Sequence, residues 1–330
     1  MKSILTSVMR GEILETERAE FALKVILSGE LPAAQTVAFL TAIQMRGVHL
    51  SELRGFHSVL RESGITIDLQ EEKMIDVCGT GGDGKGTFNI STLAAFVLAG
   101  AGVKVAKHGN ASATSGSGSS DILAHLGVKF TIDEEALRRQ VREANICYLH
   151  APLFQPILKA VAPIRKDIGF RTLFNLLGPL INPARPSHQF IGVAEPSVLR
   201  LYRYFLEDGD AEFALVNTRD GYDEISLTGA FDVVTNDGAE VYYPEDIGFE
   251  TVAAVDLKSK DGLDEIAQDF LNVLQNNASQ PAQTKVILAN AAFAMRFMNK
   301  ELSIYDCQAL AQESLDSGAA MRAFEYLRDN

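Results

Sequence analysis

The 330-residue sequence predicts an α/β protein, with a small helical N-terminal domain ahead of a larger α/β domain built on a mostly parallel central sheet. Three observations carry that prediction. The first 64 residues show helical periodicity and no strand signal. From residue 74 short apolar runs alternate with helical stretches, the pattern of strand–helix–strand units. A hairpin signature appears only later, around Asn236-Asp237-Gly238, so the sheet gains an antiparallel piece there.

The helical region reads as three helices. Thr16 is placed to cap the first, which carries Ala22, Val25 and Ile26 on one face and stops at Gly29. Pro32 suits the first turn of the second, with Val37, Leu40 and Ile43 as its stripe and Gly47 as its end. Ser51 is placed to cap the third, where Leu53, Phe56 and Leu60 recur at helical spacing before Gly64. These stripes read as core or subunit-interface packing. Beyond them, Met74–Val77, Val103–Ala106, Gln189–Val193 and Phe213–Asn217 read as buried strands. Helices are expected over Thr92–Gly100, Asp121–Leu126 and Glu134–Glu143, the last capped by Asp133, and over the final 45 residues from Lys285.

Composition narrows the function classes. Apolar residues make up 47% and charged residues 22%, the balance of a chain that folds around a core. A formal charge of −13 argues against a long nucleic-acid groove, which needs clustered Lys and Arg. Cys78, Cys147 and Cys307 are too few and too scattered for a disulfide framework or a paired metal motif, so a reducing, cytoplasmic setting is expected. The N-terminus breaks into charge too early for a signal peptide, and the longest apolar stretch, Leu93–Ala101, falls far short of the roughly 20 residues of a membrane span.

The segment Cys78–Thr92, CGTGGDGKGTFNIST, follows an expected strand and leads into a helix. Its glycines let backbone N–H groups approach a ligand, and the helix start behind them adds partial positive charge, which suits phosphate. It fits neither the Walker nor the dinucleotide spacing. Asp83 is awkward in a bare anion cradle unless a cation lies between it and the phosphate. Lys107–Asp121, KHGNASATSGSGSSD, also follows a strand and supplies a cation, an imidazole, an amide and a run of hydroxyls, donors for phosphate and ribose oxygens. Asp223-Glu224 in RDGYDEIS can share a Mg²⁺ with substrate phosphate, although an acidic pair alone reads as a solvated turn. Arg165 in PIRKDIG can grip a carboxylate bidentately, although a surface salt bridge is the simpler reading.

Taken together, CGTGGDG, NIST, KHGN, the SGS…D segment, PIRKDIG, RTLFNLLGPLINPA and DEIS closely resemble the anthranilate phosphoribosyltransferase family over nearly the whole chain. The resemblance implies a nucleoside phosphorylase/phosphoribosyltransferase fold. Residues 1–66 would form the helical domain, joined by a returning helical segment near 163–183, and 67–330 the α/β domain, with the active site in the cleft between them. It implies transfer of phosphoribosyl from 5-phosphoribosyl 1-pyrophosphate to anthranilate, with release of pyrophosphate, in tryptophan biosynthesis. Gly79, Thr80, Gly82, Asp83, Thr87, Asn89, Ser91 and Thr92 match positions that bind the pyrophosphate substrate, as do Lys107, Ser117 and Ser119. Ser91, Asp223 and Glu224 match metal positions, for two Mg²⁺ per subunit with one arriving on the substrate. Gly79, His108, Asn110, Arg165 and Gly178 match the anthranilate channel. A homodimer through the helical domain is implied, with no nucleic acid or membrane partner; an association with anthranilate synthase subunits is left open. His108 is a candidate general base and equally a candidate structural histidine. Two positions depart from the common family pattern: Ala111 where many relatives have Arg, and Gln155 where many have His.

No Ser-His-Asp or Cys-His arrangement calls for a covalent intermediate, so the expected reaction is direct displacement through an oxocarbenium-like state. Two other readings compete. A nucleoside phosphorylase of the same architecture would not need the carboxylate pair. A binding protein recruited to nucleic acid would not need the phosphate and metal set.

Overall fold

The computed structural model describes residues 1–111, 117–277 and 281–330. The chain forms two compact units, one of residues 1–66 and 151–183, the other of residues 67–150 and 184–330.

The first unit is all helical among its described residues. Helices Lys2–Met9, Thr16–Leu27, Ala33–Arg46 and Leu50–Ser63 are joined by the short helices Ala151–Phe154, Ala162–Ile168 and Leu173–Leu177. Two expected caps are corrected. Thr16 is already helical and Glu15 takes the cap position without a side-chain bond. Ser51 lies inside its helix, and its hydroxyl donates instead to the Leu14 carbonyl at 2.7 Å. The start of that helix is held by Glu52, whose Oε2 accepts the His49 N–H at 3.0 Å. Glu52 has no exposed surface; Arg46 grips both its oxygens at 2.5 and 2.9 Å, and the Leu14 N–H donates to Oε1 at 3.0 Å. Of the expected stripes, Leu53, Phe56, Leu60, Leu40 and Ile43 are buried, whereas Val37 is exposed and Phe39 fills the core in its place. Gly29 and Gly47 end their helices with positive φ, 75° and 84°. Gly64 serves packing instead, since a Cβ there would lie 2.3 Å from Gln155 Nε2.

The second unit is built on seven strands: β1 (Ile75–Gly79), β2 (Val105–Gly109), β3 (Ile146–His150), β4 (His188–Gly192), β5 (Glu212–Thr218), β6 (Phe231–Thr235) and β7 (Gly238–Tyr242). Their order is β3-β2-β1-β4-β5-β6-β7; the first five are parallel, and β6 and β7 add antiparallel to β5. β1, β2, β4 and β5 fall on the four expected apolar runs, and β6–β7 is the expected hairpin. β3 was not expected. Only Asn145, in the left-handed conformation at φ 58°, separates it from helix Glu134–Ala144. A five-residue apolar run directly behind a helix cannot be told from its continuation by periodicity. Asp133 caps that helix as expected, its Oδ1 accepting from Ala136 N at 2.7 Å.

Helix Ile90–Gly100 runs through the core, buried from Ile90 to Leu98 apart from Ser91, and packs against the helices Pro281–Met298, Ile304–Asp316 and Ala319–Asp329 that complete the chain. The chain leaves β1 towards β2 and β3 on one side, then returns to β4 and β5 on the other. The switch of direction falls between β1 and β4, and in open α/β sheets ligands bind beyond the carboxyl ends of the strands at such a point. No helix among the described residues is long and apolar enough to cross a membrane.

Candidate active site

The carboxyl ends of β1 and β4 are both glycines, and they are register partners: Gly79 pairs with Gly192. The loop after β5 lies directly on them. A Cβ at Gly192 would fall 1.6 Å from the Asp223 carbonyl oxygen, and one at Gly79 would fall 2.5 Å from Asp223 Oδ2. Absence of two side chains thus makes a notch into which one acidic residue fits, and Asp223 is 6% exposed there. The solvated turn that an acidic pair suggests is not what forms.

The glycine-rich loop closes over the same residue. The Thr80 N–H donates to the Gly192 carbonyl at 2.9 Å, and the Gly81 N–H donates to Asp223 Oδ2 at 2.6 Å. Gly81, Gly82, Gly84 and Gly86 all have φ between 64° and 71°, a path closed to residues with a Cβ unless strained. Asp83 Oδ1 accepts the Lys85 N–H at 3.0 Å, and the Lys85 ammonium donates to the Asp220 carbonyl at 2.6 Å while lying 4.8 Å from the Tyr222 ring centroid. The glycine loop and the loop bearing Asp223-Glu224 are therefore tied at both ends. Thr87 forms a lone bridge with Lys258.

Glu224 sits at the start of helix Ile90–Gly100, where the Ser91 N–H donates to its carboxylate. Burial pushes the Glu224 carboxyl well above the ordinary range, Asp223 and Asp83 add to this, and the Lys107 ammonium opposes it. Lys107 is 2% exposed; its Nζ donates to the Val77 carbonyl at 2.6 Å and to Ser91 Oγ at 3.4 Å. Thr92 is buried in the first turn.

On the next strand, the His108 N–H donates to Asp76 Oδ1 at 3.2 Å, and both residues are buried. Asn110 Oδ1 accepts from Ala111 N at 2.8 Å. Ser117 Oγ donates to Asn89 Oδ1 at 3.5 Å, joining the second motif to the first. Residues 112–116 of the hydroxyl run lie outside the described residues. Thus the structure brings together Gly79, Thr80, Gly82, Asp83, Asn89, Ser91, Lys107, Ser117, Asp223 and Glu224 within one unit.

Arg165 and Gly178 belong to the helical unit. Among the described residues Arg165 makes no salt bridge; its guanidinium lies 5.1 Å from the Phe174 ring centroid, and burial lowers its pKa. A Cβ at Gly178 would meet nothing within 4 Å. Gln155 is buried at 3% exposure against Gly64, and its Oε1 has no hydrogen-bond partner among the described residues.

Residues 2–64 match the helical bundle domain of a glycosyl transferase family, and residues 71–321 match that family's a/b domain. An anthranilate phosphoribosyltransferase of Cytophaga hutchinsonii is 45% identical over 98% of this chain and 99% of its own. One from Bacteroides thetaiotaomicron is 46% identical over 97% of this chain and 96% of its own. The chain belongs to the anthranilate phosphoribosyltransferase family. Solved members share the fold: the Thermus thermophilus enzyme superposes with a TM-score of 0.89 at 34% identity, covering 99% of this chain and 98% of that one. A Saccharomyces cerevisiae member, solved with 5-phosphoribosyl 1-pyrophosphate and Mg, gives 0.90 at 26% identity, covering 100% and 98%.

The donor set of this family member fits a hard divalent cation. Asp83 Oδ2 is buried with no hydrogen-bond partner among the described residues, and Glu224 is held where its charge is costly. No three His, Cys, Asp or Glu side chains among the described residues stand close enough to hold a metal between them. Mg²⁺ needs only one or two protein carboxylates when substrate phosphate supplies further oxygens. Sequence reasoning missed Asp76, Gly192, Ser120, Tyr148 and His150. The one signal was Asp76 itself, a carboxylate in an otherwise apolar strand, which must be paired if it is buried.

Proposed function

We propose that the chain transfers the phosphoribosyl group of 5-phosphoribosyl 1-pyrophosphate to the amine of anthranilate, releasing pyrophosphate, with Mg²⁺ held by Asp223 and Glu224. The observation that carries this reading is the hydrogen bond from Gly81 N–H to Asp223 Oδ2, which makes the glycine loop and the acidic pair one site. Bound there, Mg²⁺ would neutralise charge developing on the leaving pyrophosphate. Two ions per subunit, one arriving with the substrate, suit a site that offers few oxygens of its own.

The remaining roles belong to the protein. Backbone N–H groups of the 79–89 loop and the start of helix Ile90–Gly100 receive phosphate oxygens. Lys107, fixed beneath Ser91, contributes positive charge next to Glu224. Asn89 and Ser117 hold the ribose and phosphate side, with Gly79, Thr80, Gly82, Asp83, Thr87, Thr92 and Ser119 completing it. Arg165 receives the anthranilate carboxylate, and His108, Asn110 and Gly178 line the acceptor's path. The nitrogen lone pair attacks ribose C1 as the C1–O bond to pyrophosphate breaks, and the nitrogen gives up one proton, for which the released pyrophosphate or water is an acceptor. No protein atom bonds to the sugar, and catalysis is alignment plus charge stabilisation.

A homodimer through the helical unit also belongs to this reading. Phe21 and Met45 stand 52% and 85% exposed there, apolar side chains with no cover.

The test is direct. Protein supplied with 5-phosphoribosyl 1-pyrophosphate, Mg²⁺ and anthranilate should consume anthranilate fluorescence; no loss at ample enzyme would sink the assignment. Asp223→Asn and Glu224→Gln should each lower turnover at limiting Mg²⁺ at least about tenfold, or 1.4 kcal/mol. An unaltered Mg²⁺ dependence would remove both residues from the metal site.

A further inference from the structure

Beside the phosphate site lies a buried polar chain for which the transfer reaction has no use. Tyr148 and His150, two residues apart on β3, present side chains to the same face. The Tyr148 hydroxyl is 2.7 Å from Ser119 Oγ and 2.8 Å from Ser120 Oγ, and Ser120 Oγ is 2.8 Å from His150 Nδ1. Ser119 and Ser120 open helix Ser119–His125. At its other end the chain meets Asn110, whose carbonyl accepts from Ser119 Oγ at 3.3 Å and from the Ser120 N–H at 3.1 Å. Tyr148 and Ser120 are buried, and Phe130 stacks on the His150 ring with centroids 4.5 Å apart. The phenol reaches Ser119 only because β2 ends in glycine: a Cβ at Gly109 would lie 2.2 Å from the Tyr148 hydroxyl and 2.4 Å from Ser119 Oγ.

Each hydroxyl has one proton to give. If all three side-chain bonds are made and neither buried hydroxyl, Tyr148 nor Ser120, leaves its own proton unpaired, the protons run in one of two directions. With Nε2–H imidazole, Ser119 donates to Tyr148, Tyr148 to Ser120, and Ser120 to Nδ1; Ser119 then shows a neighbour only lone pairs. With Nδ1–H imidazole every bond reverses, Tyr148 donates to Ser119, and the Ser119 proton goes to the Asn110 carbonyl or, in its place, to an outside acceptor. An anion selects the second direction, because a hydroxyl proton facing a phosphate oxygen makes a charge-assisted bond and lone pairs facing it repel. Burial depresses the His150 pKa against the opposing pull of Asp121, which favours the neutral ring, for which the choice is one of tautomer.

We propose that Tyr148 is a positioning residue which, in a chain with Ser120 and His150, aims the Ser119 proton at the phosphoribosyl substrate. The inference rests on the reading of Ser119 as a substrate-binding residue given above.

Two measurements test it. Tyr148→Phe should raise the KM for 5-phosphoribosyl 1-pyrophosphate about tenfold while leaving kcat within about threefold, since nothing then aims the Ser119 proton at the substrate rather than at the Asn110 carbonyl. In nitrogen-15 NMR of the intact wild-type protein with that substrate and Mg²⁺ bound, His150 should be in the Nδ1–H form. A wild-type KM in Tyr148→Phe, or a His150 in the Nε2–H form with substrate bound, overturns the proposal. The tautomer readout needs no variant, so it decides even if Tyr148→Phe fails to fold. Ser119→Ala separates the two layers. If it raises KM while Tyr148→Phe does not, only this inference fails; if it leaves KM unchanged, the substrate role of Ser119 fails and takes the inference with it.

Discussion

Arg165 illustrates how much a single side chain's surroundings decide. Its guanidinium is half-buried with Phe174 as its neighbour and no carboxylate opposite it among the described residues. Burial lowers its pKa, but a guanidinium keeps its proton at any pH where the protein is folded. A buried cation without an anion is costly, and the cost is relieved when a carboxylate arrives. Arg165→Ala should therefore raise the acceptor's KM at least about tenfold and leave that of the pyrophosphate substrate within about twofold, as loss of a charged hydrogen-bond pair implies. Steady-state kinetics with each substrate varied in turn checks this, and equal effects on both would move Arg165 out of the acceptor site. Arg165→Lys should restore little, because a point charge does not reproduce a planar, bidentate fork.

At the scale of elements, the legible part of the sequence was the part governed by local chemistry. Parallel strands showed as apolar runs, the Asp133 cap as a cap, and the hairpin as Asn236-Asp237-Gly238. What stayed hidden depended on distant partners. Ser51 looked like a cap because its alternative, the Leu14 carbonyl, is remote in sequence. Nothing local in the sequence marks Glu52 as buried. Its burial against Arg46, and its hold on the Leu14 and His49 N–H groups, join helices Ala33–Arg46 and Leu50–Ser63 to the loop after the first helix. Removing one member of a buried pair strands the other, so Glu52→Ala should destabilise the helical unit by about 3 kcal/mol. Urea unfolding followed by a probe in that unit measures it; a loss below about 1 kcal/mol would show that the pair contributes little.

For the whole molecule, the motifs announced a phosphate and metal site, yet nothing local announced how its pieces meet. Asp223 stands far from Gly79 in the sequence, and only the strand order brings β1 beside β4, with β5 on the far side of β4. Tyr148 and His150 were invisible for a similar reason: β3 itself was unread, so no register aligned them with Ser119 and Ser120. The apolar stripes of the helical unit read as core or interface; of their residues Val37 is exposed, as are Phe21 and Met45, which the stripes did not include. Their exposure now favours interface, and the protein should sediment as a dimer at micromolar concentration. Phe21→Glu combined with Met45→Glu should yield a monomer. A monomeric wild-type protein would end the dimer reading.

The pairing of Gly79 with Gly192 also says something about how this enzyme comes into being. The notch for Asp223 exists only while two strands distant in sequence are aligned in one register. A slip of one residue sets Cys78 or Ile191 across from a glycine and closes the notch. Parallel pairing over long sequence separations is slow to form. The notch for Asp223 should therefore form only once those strands are aligned, and activity should return later than helix content on refolding. During refolding, turnover becomes a clock for the alignment of two strands.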